Sequence, residues 1–408
     1  MGDDARDHDL VLLGASGFVG RLVAAHVARH APPGLRVALA GRSAERLAQV
    51  RGTLPPPAQD WPALVVDVGD DAALARLARA TRVLVTTVGP YARHGLPVVA
   101  ACAAAGTHYA DLTGEAPFVR AAADATDAVA RTTGARLVHA CGWDSVPSDL
   151  SVLLLHEAAR ADGASGLTDV TVLVAAKGGF SGGTVASMRG VLDASRANPA
   201  AARLTRDPYA LSPDRAAEPP VAQPPDHARP GLRRGRWTAP FLMASFNTRV
   251  VRRSNALTGW AYGRGLRYAE RMDTGRGFAG AAGAVGVTLG LGALVGALSL
   301  PPIRPLVDRL LPAPGDGPDE ATRTAGWFRH HLLATTQDGS TYAGRVAGHG
   351  DPGYAATAVM LGQTALALAL DEARLPDRAG SLTPATALGT VLVGRLREHG
   401  HRYDTRRL

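Results

Sequence analysis

Asp9-Leu-Val-Leu-Leu-Gly14-Ala-Ser-Gly17-Phe-Val-Gly20 is a short apolar run closed by three glycines at a spacing of three. It predicts a strand, a tight turn and the start of a helix. Gly14 permits the turn, Gly17 leaves room for phosphates, and Gly20 lets the helix sit close on the sheet. The helix N-terminus, with Ser16, Phe18 and Val19 around it, then offers N–H groups and the positive end of a dipole to an anion. The alternative is an ordinary strand-to-helix turn. Context favours a dinucleotide pyrophosphate: Arg21 to His30 has helical spacing, and a second strand, Arg36-Val-Ala-Leu-Ala40, follows at the expected distance.

That strand ends in Gly41-Arg42-Ser43 with no acidic residue for a ribose hydroxyl. An arginine there pairs with a 2′-phosphate, so Arg42 and Ser43 point to NADP(H) over NAD. Ser43 is equally a helix N-cap. Strands at Ala63–Val66, Arg82–Thr87, His108–Leu112 and Arg136–Ala140 alternate with helices, the pattern of a parallel, doubly wound sheet. Its ligand crevice lies at the strand C-termini. This places Asp67 and Val68 near the adenine, though Asp67 also suits a turn. Gly89 and Pro90 fall under the phosphates and ribose, and Gly142, Asp144 and Ser145 at the nicotinamide end.

The chain has 408 residues, 46% of them hydrophobic and 20% charged, which implies more than one core. Its charge of +8 comes from scattered arginines without interleaved aromatics, so nucleic acid is not expected as a partner. Cys102 and Cys141 are too few for a disulfide framework, and the acidic stretch before the first strand does not read as a signal peptide, so a cytoplasmic setting is expected. No Cys and His cluster has zinc spacing, and His330-His331 in a strand would face opposite ways, so no metal is expected. Leu173 stands four residues before Lys177, the only lysine, which excludes a Tyr-x-x-x-Lys dehydrogenase.

Beyond residue 150, a β-like run ends in Lys177-Gly-Gly-Phe-Ser-Gly-Gly-Thr184, readable either as an oxyanion cradle using Ser181 and Thr184 or as a turn capped by Thr184. A Pro-rich connection over 208–230 reads as a surface loop or lid, and a basic amphipathic patch is expected over Arg249–Arg271. Residues 277–303 contain no charge, enough to span a bilayer, dip into one leaflet as a hairpin, or form a buried wall around a lipid substrate. The wall is favoured, with membrane contact left open because Arg264, Arg267, Arg271 and Arg276 suit anionic lipid.

Seven motifs in order carry a likeness: Gly14–Gly20, Ala40-Gly-Arg-Ser43, Thr86-Thr-Val-Gly-Pro-Tyr91, Asp111-Leu-Thr-Gly-Glu115, Cys141-Gly-Trp-Asp-Ser-Val-Pro-Ser-Asp149, Gly178–Thr184 and Asp351-Pro-Gly-Tyr354. The chain resembles the saccharopine dehydrogenase-like oxidoreductases, and more narrowly their trans-acting enoyl reductase branch. The resemblance implies an NADP-binding Rossmann domain (1–150), an inserted α+β substrate domain (151–348) and C-terminal helices returning to the first domain (349–408). It also implies reduction of an enoyl group on a polyketide-derived or fatty-acyl chain in complex lipid assembly, with the chain presented on a carrier protein. In that chemistry Tyr91 is the first choice of proton donor, while Ser181 and Thr184 would stabilise an enolate. The alternatives are a saccharopine-type amino-acid dehydrogenase and a non-catalytic NADP-binding sensor or scaffold. A homodimer and contact with the inner face of the plasma membrane remain open at this point.

Overall fold

A computed structural model of the chain describes residues 6–178, 182–226, 229–299 and 317–408, which divide into two compact units. The first takes in the chain up to Val146 and again Gly353–His399; the second takes in most of Pro147–Pro352 and then Gly400–Leu408. Strands and helices alternate in the first as expected: β1 (His8–Leu13), α1 (Phe18–His30), β2 (Val37–Gly41), α2 (Ala44–Gly52), β3 (Ala63–Val65), α3 (Asp71–Arg79), β4 (Thr81–Thr86), α4 (Tyr91–Ala105), β5 (His108–Ala110), α5 (Ala116–Thr133) and β6 (Arg136–Val138). The helix α6 (Val146–Ala161) leads into β7 (Leu167–Lys177), α7 (Gly182–Ala197), α8 (Pro199–Arg206), β8 (Gly231–Arg233), β9 (Arg236–Pro240), α9 (Ala244–Leu257), β10 (Arg267–Gly275), α10 (Gly277–Ser299), α11 (Glu320–Thr324), β11 (Trp327–Thr336) and β12 (Thr341–His349). The chain then adds α12 (Thr357–Leu370), β13 (Gly380–Leu382) and α13 (Pro384–Glu398) to the first unit, and closes with β14 (Arg402–Arg407) in the second.

The sheet of the first unit has the order β13-β6-β5-β4-β1-β2-β3, and every pair in it is parallel. Its middle strands are continuously apolar because helices cover both faces: Leu10–Leu13 and all of β2 are buried. Short polar side chains start some of the helices, with Asp70 accepting from Ala73 N at 2.9 Å and Thr383 forming a reciprocal box with Thr386. The second sheet has the order β14-β12-β11-β7-β10-β9-β8, antiparallel except for β7 with β10. His330 is buried and His331 exposed on β11, as alternation along a strand requires.

Several expectations about the second unit change. The basic patch is a surface only in part: Arg264 and Arg267 are exposed, but Arg271 and the α9 residues Arg249, Arg252 and Arg253 are buried, and those three bind the Pro-rich connection. Arg249 pairs with Asp226 at 2.8 Å, Arg252 donates to Gln223 at 3.1 Å, and Arg253 donates to the Leu211 carbonyl at 2.6 Å. The described part of the 208–230 loop is thus fastened by internal charge-assisted bonds, not free as a lid. The 277–303 segment is neither a hairpin nor a buried wall where it is described: 277–299 is one helix, with Phe278 90% and Leu289 68% exposed. Residues 300–303 lie outside the described residues. The C-terminus is not wholly helical, since β14 joins the second sheet beside β12.

Candidate functional site

The turn after β1 has the geometry its glycines imply. Gly14 adopts φ +86°, and a Cβ on it would stand 2.8 Å from the Thr87 hydroxyl. That hydroxyl donates to the Gly14 carbonyl at 3.1 Å, tying the end of β4 to the turn. A Cβ on Gly20 would lie only 2.2 Å from the Gly14 carbonyl oxygen, so α1 is seated against the turn as closely as a helix can be. Gly17 is exposed at the N-cap, and no side chain caps the helix. Ser16, Phe18 and Val19 surround it, half-buried, with the Phe18 ring packed edge-on against Tyr354 at 4.9 Å. An uncapped helix start lined by glycine is an anion seat.

Arg42, immediately beyond β2, is exposed and makes no hydrogen bond or ion pair among the described residues, so its guanidinium is available to a 2′-phosphate. Ser43 serves as the N-cap of α2, its hydroxyl accepting from Arg46 N at 3.3 Å. Asp67 after β3 is exposed and accepts from Gly69 N at 2.9 Å, a turn-forming bond, while Val68 beside it is buried. After β4, Gly89 is exposed and joined to Pro90, the N-cap of α4, through a cis peptide bond.

Tyr91 does not suit the role of proton donor. It is 6% exposed; its hydroxyl donates to the Thr86 carbonyl at 3.1 Å and accepts from Leu112 N at 3.1 Å, bracing the end of β4 against the loop after β5. Burial, with the Asp111 carboxylate nearby, pushes the phenol well above its usual range.

The motif Asp111–Glu115 has a positioning role that sequence alone did not reveal. Buried Asp111 accepts from Tyr109 Oη at 3.0 Å, His139 Nδ1 at 2.7 Å, Thr113 N at 3.0 Å and Ala140 N at 2.9 Å. It thereby holds Ala140 at φ +65°, a left-handed conformation that a residue with a Cβ rarely adopts. Buried Glu115 accepts from Tyr91 N at 3.1 Å and Ala92 N at 2.9 Å, satisfying the first amides of α4. The two carboxylates fix the loops that follow β4 and β6.

The loop after β6 carries Gly142 and Asp144. Gly142 is buried, with Leu112 and Thr357 pressed where a side chain would be, and Trp143 N donates to Thr357 Oγ1 at 3.0 Å. Asp144 is half-buried and its carboxyl has no hydrogen-bond partner among the described residues; desolvation pushes its pKa up to about 6. Thr184 is half-buried in the first turn of α7 in the second unit, and Ser181 lies outside the described residues.

Residues 10–138 match the family model of the saccharopine dehydrogenase NADP binding domain. The solved structure of apo saccharopine dehydrogenase (L-Glu forming) from Saccharomyces cerevisiae superposes with a TM-score of 0.55 at 14% identity, covering 98% of this chain and 99% of that one. The fold, the matching NADP-binding domain, the glycine turn and an arginine after β2 that is unpaired among the described residues define an NADP-dependent oxidoreductase of the saccharopine dehydrogenase-like class. Closer relatives narrow it. A Mycobacterium tuberculosis protein, provisionally named a trans-acting enoyl reductase, is 51% identical over 99% of this chain and 98% of its own. Proteins named trans-acting enoyl reductase from Mycobacterium ulcerans and Mycobacterium bovis are both 44% identical, the first over 98% of each chain and the second over 100%. The chain belongs to the trans-acting enoyl reductase family.

Proposed function

We propose that the protein is an NADPH-dependent enoyl reductase acting in trans on a polyketide-derived or fatty-acyl thioester presented by a carrier protein. The observation that carries the reading is the uncapped, glycine-lined start of α1, with Arg42, unpartnered among the described residues, one strand away. In it Gly14, Gly17 and Gly20 give the pyrophosphate room, the first turn of α1 gives it N–H groups, and Arg42 takes the 2′-phosphate. When bound, NADPH supplies a hydride to the β-carbon and the α-carbon takes a proton, leaving NADP⁺ and the saturated thioester. Asp144 is the group assigned to hold that proton: it stands in the loop after β6, its carboxyl is unpartnered among the described residues, and burial favours its protonated form up to about pH 6. Asp111 and Glu115 act through the backbone, keeping the loops after β4 and β6 in place. A saccharopine-type reaction is not favoured, since that likeness is at 14% identity and concerns the fold.

The test is consumption of NADPH, followed by the absorbance of the reduced cofactor, with a long-chain enoyl thioester in one arm and saccharopine in the other. Turnover of the thioester alone supports the reading. Turnover of saccharopine alone, or NADPH binding with no turnover across long and branched enoyl chains, would contradict it.

The partner surface follows from two helical segments of similar character. Pro352–Leu370 and Gly277–Ser299 are both long and apolar enough to cross a bilayer, but most of the first is buried, whereas α10 buries only Gly280, Ala284 and Leu298 among its residues. Leaving Phe278, Val285, Leu289 and Val295 in water is unfavourable by roughly 25 cal/mol per Å² of apolar area. The reading is that α10 lies in or against lipid, bringing a cytoplasmic enzyme to the inner face of the plasma membrane. Exposed Arg264, Arg267 and Arg276 would meet anionic headgroups there. Flotation with vesicles containing anionic lipid, comparing the full chain with one lacking 277–303, tests this. Equal flotation of the two would refute it.

A further inference from the structure

Spacing in the sequence shows no metal-ligand cluster, yet folding assembles one. His26 and His30 lie one turn apart on α1, and His399 is the C-cap residue of α13. One ring nitrogen from each lies within 4.8 Å of the other two. The rings pack against one another, with centroids 4.3 Å apart for His26 and His30 and 4.5 Å apart for His30 and His399. We propose that these three imidazoles bind a divalent transition-metal cation of the zinc class, at the end of α1 remote from the phosphate-binding turn.

The chemistry of the surrounding groups supports a ligand set over a chance cluster. His30 Nδ1 lies 2.8 Å from the His26 carbonyl, and His399 Nδ1 lies 2.7 Å from the Arg395 carbonyl. A carbonyl only accepts, so in the neutral rings Nδ1 carries the proton and Nε2 presents its lone pair. This is the arrangement in which a histidine ligates through one nitrogen while a backbone acceptor orients it through the other. Gln363 orients the third ring: its amide nitrogen stands 2.8 Å from His26 Nε2. Ligation through His26 Nδ1 needs that amide turned over, so that its oxygen accepts from Nε2–H. The Arg395 side chain, which now donates to the Gln363 oxygen at 3.2 Å, would keep its pairing with Asp371.

Two further features favour a cation. His30 ends α1 and His399 caps the end of α13, so two helix C-termini with their negative dipole ends converge here. An ion about 2.0–2.1 Å from each nitrogen needs the nitrogens closer together than 4.8 Å, by up to about 1.4 Å for tetrahedral geometry. His30 is exposed and His399 half-buried, so both have room to swing inward. Water would complete the coordination on the exposed side. Bound metal would clip the end of α13 to α1 within the first unit, stabilising the fold around the cofactor turn without entering the reaction. Three imidazoles select zinc, nickel or copper over magnesium or calcium.

The experiment uses the full chain without a polyhistidine tag, stripped with a chelator, and titrated with Zn²⁺ by calorimetry and with Co²⁺ by visible absorption. The expected result is one saturable equivalent, imidazole-type Co²⁺ bands, and a melting temperature raised by Zn²⁺. His30→Ala and His399→Ala should each weaken binding at least tenfold and abolish the thermal shift. Neither should alter NADPH affinity, because His26 is about 12 Å along the helix axis from Phe18. Absence of a saturable equivalent in the wild type, or wild-type affinity in either alanine variant, would overturn the proposal whatever the substrate of the enzyme proves to be.

Discussion

Gly20→Ala tests the seat of the cofactor most sharply, because the structure fixes how far the helix must move. The added methyl would stand 2.2 Å from the Gly14 carbonyl oxygen and 2.9 Å from Ala15 Cα, both backbone atoms that cannot swing aside. Restoring an ordinary carbon–oxygen contact requires α1 to recede by about 1 Å, and overpacking of this kind costs about 1–3 kcal/mol of stability. The same displacement takes the first-turn amides from about 2.9 Å to about 3.9 Å from where they would meet a phosphate oxygen, beyond hydrogen-bonding range. Hydrogen bonds to a charged partner are worth about 1.5–3 kcal/mol each, so losing one of them corresponds to NADPH binding weaker by about 10- to 150-fold. Gly52→Ala is the control, since a methyl there meets nothing within 4 Å. Calorimetric titration with NADPH, alongside thermal melting to show that each variant is folded, measures the effect. A folded Gly20→Ala protein that binds NADPH within about threefold of the wild type would refute the assignment of this turn.

Further expectations follow from neighbouring residues. Arg42→Ala should weaken NADPH by about 10- to 100-fold and leave NADH nearly unchanged in parallel titrations, because only the former carries the 2′-phosphate. Tyr91→Phe should retain most of the turnover while lowering the melting temperature, since its hydroxyl bonds Thr86 and Leu112; a hundredfold loss of turnover at unchanged stability would restore it as the proton donor. Asp144 has a folded pKa raised to about 6 from 3.8, so the fold favours its protonated form and loses stability as pH rises through that window. Asp144→Asn should therefore be more stable than the wild type by about 1–3 kcal/mol above pH 7, with the difference closing below about pH 4, while turnover falls at least tenfold. Denaturant melts at pH 4 and pH 8 decide this, and equal stabilities at both would contradict the burial argument. Replacing Phe278 and Leu289 on α10 by serine should reduce vesicle flotation without changing NADPH affinity.

Much of the first unit was legible because its signals are local. The apolar β1, the glycine turn and α1 lie within one short stretch, and the alternation after it repeats the same strand-and-helix grammar. What sequence could not show depends on contacts between distant residues. Asp111 fell within the expected strand His108–Leu112 with no role of its own; only folding brings His139 and Ala140 to its carboxylate. Tyr91 sits near the crevice in the sequence pattern, but its direction is set by Thr86 and Leu112, which no spacing rule reports. The arginines of α9 read as a basic surface because the Pro-rich loop that supplies their carbonyl and carboxylate partners has no periodicity of its own. The strand β13 is three residues long and pairs with β6 across more than two hundred residues of chain, too short to announce itself. The segment over 277–299 was ambiguous for a different reason: composition gives length and apolarity, whereas exposure depends on what packs against it.

Transfer of deuterium tests the central claim most directly. The protein is incubated with NADPH deuterated at the hydride position and an enoyl thioester, and the product is weighed by mass spectrometry, with each C4 diastereomer of the cofactor tried in turn. The account predicts a saturated thioester carrying one cofactor-derived deuterium at the β-carbon with one of the two diastereomers, and a solvent-derived hydrogen at the α-carbon. A reduced product without cofactor deuterium from either diastereomer, or no reduced product with any enoyl chain, would contradict it.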